Sequence, residues 1–172
     1  MAKKKNRNII LLKTIQELEN ELDYVNFEHK KYFQHLCNLI PNKDLEKLDI
    51  EIIDTKNFKK RGLVYVFVIE GKIFKIGHTI TAISDRVQSY NCGKTEYRIA
   101  GTCSTANYFV LQSLLSINKN IEVYTYFPEL PKYEIFGIEY QDSFPIPKRA
   151  EKEILKEFKA QYKKLPIGCT QK

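Results

Sequence analysis

Leu63-Val64-Tyr65-Val66-Phe67-Val68-Ile69 is a seven-residue run of β-branched, aromatic and aliphatic side chains. After Glu70-Gly71-Lys72 the apolar character returns in Ile73-Phe74-Lys75-Ile76. A run that is apolar at every position, rather than at every second one, marks a strand covered on both faces. With the turn residues between them, the two segments read as a β-hairpin. Side chains alternate along a strand, so the hairpin register decides whether Tyr65 and Lys75 share a face. A three-residue loop Ile69-Glu70-Gly71, with Gly71 left-handed, sets Tyr65 opposite Lys75, whereas a two-residue turn at Glu70-Gly71 sets them on opposite faces. The three-residue loop is the expectation.

Downstream, Thr81 to Tyr90 reads as a helix with Ile83, Val87 and Tyr90 on one face and Arg86 on the same inward side. Thr95 to Thr102 is expected as a third strand, and Ser104 to Ile117 as a helix carrying Tyr108, Leu111, Leu114 and Leu115. Residues 118–147 hold four prolines among alternating aromatics and predict irregular strands and loops. A closing helix starts at Pro147, a favourable first-turn residue, and runs to about Lys164. Upstream, Ile9, Leu12, Ile15, Leu18, Leu22 and Val25 recur at intervals of three and four and predict a helix. A second helix is expected from Asn26 to Leu39, ending at Pro41, and a short third one from Asp44 to Leu48. The fold class expected is α+β: a small mixed or antiparallel sheet of about three strands flanked by helices, in a core of residues 59–172. A basic helical arm, residues 1–58, precedes it.

The chain has 172 residues, 28 Lys+Arg against 21 Asp+Glu and a formal charge of +7. Hydrophobic residues at 43% and charged residues at 28% exclude wholesale disorder. No run approaches the roughly 18 apolar residues of a membrane span, and Ile9 to Leu12 is too short a core for a secretory signal. A soluble cytoplasmic protein with no membrane partner is expected. The four cysteines and three histidines are scattered without finger spacing, which disfavours zinc but leaves room for one ion held by a carboxylate. Positive charge gathers at Lys3, Lys4, Lys5 and Arg7, at Lys59, Lys60 and Arg61, and at Lys148 and Arg149. Such clusters neutralise phosphates and release counterions, so they are candidate DNA contacts, although charge alone does not separate them from a solvated surface.

The hairpin and the helix behind it resemble the GIY-YIG nuclease superfamily. That family carries two short motifs on neighbouring strands, an arginine on the next helix and a glutamate on a later one. Leu63-Val64-Tyr65 matches the first motif with its tyrosine, and Lys75-Ile76-Gly77 the second, with Lys75 where the family usually has tyrosine. Arg86 stands at the expected distance on the following helix, Glu151 opens the closing helix, and His78 directly follows the second motif. The likeness spans roughly residues 61 to 160; the family's late asparagine has no counterpart, since no Asn follows Asn120. In its compactness the chain looks most like the small type II restriction endonucleases of that superfamily. The resemblance implies hydrolysis of double-stranded DNA at a short symmetric site, one Mg²⁺ or similar divalent cation at Glu151 in each active site, a homodimer, and a companion DNA methyltransferase.

The residue types suit that chemistry. Hydrolysis needs an aligned water, a proton acceptor, charge neutralisation at phosphorus and help for the departing alkoxide. Glu151 can hold Mg²⁺ with a phosphate oxygen and waters, and Arg86 can fork onto the phosphate. Glu151 lines up with Ile154, Leu155, Phe158 and Tyr162 on the core-facing side of the last helix, where a carboxylate needs a partner. Tyr65 is the first candidate for the base, its phenol expected to be lowered by the Lys75 ammonium, and His78 is the second. Two other readings stay open at this stage: a repair or mobile-element nuclease, and a non-catalytic DNA-binding protein on the same scaffold.

Overall fold

The seven-residue apolar run is strand β3 (Leu63–Ile69), every residue of it buried, in a computed structural model that describes residues 10–141 and 146–169. It is flanked by β4 (Lys72–Thr79) and β5 (Ile121–Tyr126), and β1 (Gln34–Asn42) and β2 (Lys47–Ile52) extend the sheet beyond β5. The order is β2-β1-β5-β3-β4 and every pairing is antiparallel, so the sheet has five strands where about three were expected. A separate two-stranded ribbon, β6 (Lys132–Ile135) and β7 (Ile138–Gln141), occupies the proline-rich stretch.

Both faces of the sheet are covered, which is why β3 has no polar alternation. On one face Leu63, Tyr65, Phe67 and Ile69 pack with α2 (Ile83–Asn91) and α4 (Thr105–Ile117) through Ile83, Val87, Tyr90 and Phe109. On the other, Val64, Val66, Val68, Ile73 and Ile76 meet Phe27, Phe33 and the last helix, α5 (Ile146–Tyr162), through Ile154 and Phe158. These three helices agree with the expected ones to within a turn. No helix among the described residues is long and apolar enough to cross a membrane.

Two parts of the expected layout are corrected. Among the described residues of the expected helical arm, only α1 (Ile15–Leu18) and the 3-10 turns Tyr24–Asn26 and Glu28–Tyr32 are helical, and Gln34–Asn42 and Lys47–Ile52 are the strands β1 and β2. A bulge at Leu36 shifts the β1 register between His35 and Cys37, so Leu36 and Cys37 are both buried. That break turns a period of two into a spacing that mimics a helix. The segment expected as a third strand is instead α3 (Thr95–Ala100), closed by Gly101 in the left-handed conformation (φ 78°). Its first turn is held by Glu46, whose carboxylate accepts from Thr95 N (3.2 Å) and Oγ1 (2.5 Å). An acidic group there complements the exposed N–H groups of the helix start.

The hairpin also departs from the expected loop. Ile69 pairs with Lys72 around a two-residue turn in which Glu70 (φ 48°) and Gly71 (φ 77°) are both left-handed, the geometry that matches strand twist. By itself that turn would put Tyr65 and Lys75 on opposite faces. A bulge at Phe74 then shifts the register by one, so Phe67 pairs with Lys75 and Tyr65 with Gly77. Tyr65 and Lys75 therefore share a face as diagonal neighbours, reached by turn plus bulge and not by direct pairing.

Candidate active site

Tyr65 enters the site from the middle of β3, with its ring laid across β4 at Gly77. A Cβ at position 77 would stand 2.4 Å from the ring and from the hydroxyl, so only glycine admits the tyrosine here. The phenol is 1% exposed and lies 2.5 Å from the hydroxyl of Tyr90. Arg86 and Tyr90 are four residues apart on α2 and so share a helix face. Arg86 Nε donates to the Tyr65 hydroxyl (3.2 Å), Nη2 to the Tyr90 hydroxyl (3.1 Å) and Nη1 to Ser89 Oγ (3.4 Å). Its guanidinium also lies over the Tyr90 ring, 4.2 Å from the centroid.

Burial dominates the electrostatics of this cluster. It pushes the Tyr65 phenol well above the ordinary tyrosine range, with Tyr90 adding to the rise, while Lys75 and Arg86 pull the other way and lose. The Tyr90 phenol is raised by the same desolvation. The expected lowering of Tyr65 by Lys75 is thus present but outweighed. At Arg86 burial opposes the charge, but the two phenolic oxygens more than offset it, and the side chain stays a guanidinium.

A second group lies on the α5 face of the sheet. His78 pairs across the hairpin with Val64, which packs toward α5, and its Nδ1 meets Glu151 Oε2 at 2.7 Å. A carboxylate oxygen accepts, so Nδ1 carries the hydrogen, and Nε2 is the nitrogen left facing away from Glu151. This pair supplies the partner that a core-side carboxylate requires, and both side chains keep partial exposure. Glu151 Oε1 has no hydrogen-bond partner among the described residues, which leaves one oxygen for a hard cation.

Four of the five expected residues therefore form two groups around the edge strand β4, Tyr65 with Arg86 on one side and His78 with Glu151 on the other. No hydrogen bond or ion pair joins the two groups among the described residues. Lys75, on the Tyr65 face, donates to the carbonyl of Gly168 (2.9 Å). Cys169 lies within electrostatic reach of both groups: burial raises its thiol, Lys75 lowers it, and Glu151 raises it. Sequence reasoning placed Tyr90 on the inward helix face without giving it a part in the site; its spacing of four from Arg86 was the available signal.

Of the basic clusters, Lys60 and Arg61 line an open groove with Phe127, Lys132 and Pro147, and Lys60 Nζ sits 4.7 Å from the Phe127 ring centroid. Arg149 lines an adjoining groove, while Lys59 and Lys148 are exposed. The groove reaches Pro147, one helical turn from Glu151. Lys3, Lys4, Lys5 and Arg7 lie outside the described residues.

No protein-family model matches the chain, and no curated protein does. Among solved structures it resembles a mutant of bacteriophage T4 EndoII with a TM-score of 0.55 and 15% identity, over 75% of this chain and 90% of that one, a likeness of fold alone. It resembles restriction endonuclease HPY188I in complex with product DNA with a TM-score of 0.73 and 62% identity, over 100% of this chain and 98% of that one. Identity of that extent shows the family, and the chain belongs to that of restriction endonuclease HPY188I, enzymes that hydrolyse DNA.

Proposed function

We propose that the chain is a type II restriction endonuclease of GIY-YIG type. It cuts double-stranded DNA at a short symmetric site, with one Mg²⁺ or similar divalent cation in each active site. The observation that carries this reading is the placement of a buried phenol–guanidinium cluster and a carboxylate–imidazole pair on the two sides of one edge strand. A phosphodiester bound where that strand ends, at Gly77 and His78, would be approached by both. One such constellation cuts one strand, so a double-strand break calls for a two-fold homodimer. The groove at Lys60, Arg61 and Arg149 supports a phosphate track leading to the edge. The basic lead through Arg7 is assigned to embracing DNA or to dimer contacts, whereas the rest of the expected arm includes β1 and β2, which belong to the sheet. A cytoplasmic location and a companion methyltransferase acting on the same site follow from this function.

The donor set fits the proposed cation: one carboxylate with an oxygen unpartnered among the described residues, the habit of an ion that keeps its waters and takes substrate oxygens. Glu151 would hold it, and when bound it supplies charge neutralisation at the phosphate and at the departing oxygen. Arg86 donates to a non-bridging phosphate oxygen from the opposite side. His78, oriented through Nδ1 by Glu151, presents Nε2 to the attacking water. Tyr65 takes the proton: the water oxygen bonds to phosphorus as the bond to the leaving oxygen breaks, the water's proton passes to the phenolate, and the departing oxygen takes a proton from solvent. Arg86, Lys75 and the Tyr90 hydroxyl are the groups that favour the phenolate.

Because burial raises the Tyr65 phenol, the form that accepts a proton is scarce at neutral pH and grows with pH. Single-turnover cleavage should therefore rise by about tenfold per pH unit between pH 7 and 9 without levelling. A plateau beginning near pH 7 would contradict Tyr65 as the proton acceptor.

Incubating plasmid DNA with the protein and Mg²⁺ and sequencing the ends tests the function itself. Discrete fragments ending at one short symmetric sequence are expected. Intact plasmid, or cutting confined to flaps and junctions, would refute it.

A further inference from the structure

An edge strand exposes a row of unpaired backbone groups, and the chain covers β4 twice. Its first half is met by residues 22–24, with Ile73 N donating to Leu22 O (2.9 Å) and Tyr24 N to Gly71 O (2.7 Å). Its second half is met by the 3-10 turn Ile167–Cys169 that follows α5. The fit of that turn is close: a Cβ at Gly168 would stand 2.5 Å from the Phe74 ring and 2.8 Å from the Phe74 carbonyl oxygen. Cys169 Sγ donates to Ile76 O (3.2 Å). Upstream of the turn, Lys164 Nζ donates to Glu21 Oε1 (2.7 Å), a carboxylate that is itself buried, and to Asn20 O (2.8 Å). These contacts leave the Gly168 carbonyl on the Lys75 ammonium at 2.9 Å.

We infer that this C-terminal turn belongs to the cleavage site, with the Gly168 carbonyl as the positioning group for Lys75; the inference rests on the reading of Lys75 as part of that site. An unanchored lysine spreads its charge over many rotamers. Bound by one carbonyl, the ammonium keeps two of its three donors for phenolate or phosphate and stays on the Tyr65 face. The bulge at Phe74 sets both halves of the arrangement. It turns Lys75 to the Tyr65 face and brings the Phe74 ring under a residue that must be glycine. If Gly168 acts through that amine, removing both groups costs no more than removing one, which separates positioning from simple sealing of the sheet edge.

The test compares the parent, Gly168→Ala, Lys75→Ala and the double variant in single-turnover plasmid cleavage with Mg²⁺, and in DNA affinity without divalent ion. Gly168→Ala should slow cleavage by about 10²-fold, the cost of a small misplacement, with affinity unchanged. Lys75→Ala should slow it at least as much, and the double variant no further, since the two changes remove one interaction. Parent-rate cleavage by Gly168→Ala, or losses that multiply in the double variant, would overturn the assignment. Lys75→Ala cutting at the parent rate strikes the site reading itself, whereas a slow Lys75→Ala beside a fast Gly168→Ala strikes only the turn. Should Gly168→Ala not fold, a chain ending at Leu165 takes its place in the same cycle. If that chain also fails to fold, the turn serves the fold and not the amine, and the assignment falls.

Discussion

Glu151→Ala should lose cleavage by about 10³-fold or more, near 4 kcal/mol of barrier, while still binding DNA. Two functions go at once: the vacant Oε1 proposed for the cation, and the Oε2 that holds His78 Nδ1 at 2.7 Å. Stability should hardly change, because both side chains are partly exposed and water replaces the lost partner of His78. Affinity should be unchanged or tighter, since a carboxylate facing phosphates repels them. Glu151→Gln separates the two functions. It keeps an acceptor for the imidazole but is a poor ligand for a hard cation, so it should be as inactive as alanine. Near-parent turnover by Glu151→Gln would reduce the residue to an orienter of His78, and near-parent turnover by Glu151→Ala would remove it from the site. Gel shift without divalent ion and single-turnover cleavage with Mg²⁺ are the measurements.

Tyr65→Phe should cost cleavage about 10³-fold, within the range of a lost general base. The ring stays, still packed on Phe67 (centroids 4.9 Å apart) and over Gly77, so only the hydroxyl is removed. Its loss leaves Arg86 Nε and the Tyr90 hydroxyl short of a buried partner, a penalty of about 1–3 kcal/mol in folding stability. Cleavage must therefore be compared well below the melting temperature, where the variant is fully folded. The steep rise of rate with pH should vanish with the hydroxyl. A variant that cuts near the parent rate, or keeps that rise, would show that another group accepts the proton.

The layered core was legible where a single periodicity prevails. The unbroken apolar run of β3 announced a strand covered on both faces, and α2, α4 and α5 carry inward stripes with ordinary starts. Legibility failed where one inserted residue breaks the period. The bulge at Leu36 gives β1 a helical spacing, and the bulge at Phe74 restores a shared face that the turn at Glu70-Gly71 alone would deny. The α3 segment is rich in residues that favour strands, and only Gly101 after it hinted at a helix end. In the site, the resemblance to the GIY-YIG superfamily points to Tyr65, Arg86, His78 and Glu151, and their pairing into two groups is visible only in the sheet. Tyr90 took part through a contact between α2 and β3 that no local pattern encodes. The Gly168 carbonyl has no side chain to leave a signature.

The account turns on two groups acting on one phosphodiester, and a crystal structure of Glu151→Gln bound to uncut DNA measures that directly. The scissile phosphate should lie at the Gly77-His78 end of β4, within hydrogen-bonding distance of Arg86 on one side and with His78 Nε2 facing the attack position on the other. A phosphate seated against only one group, with the other facing solvent, would contradict it.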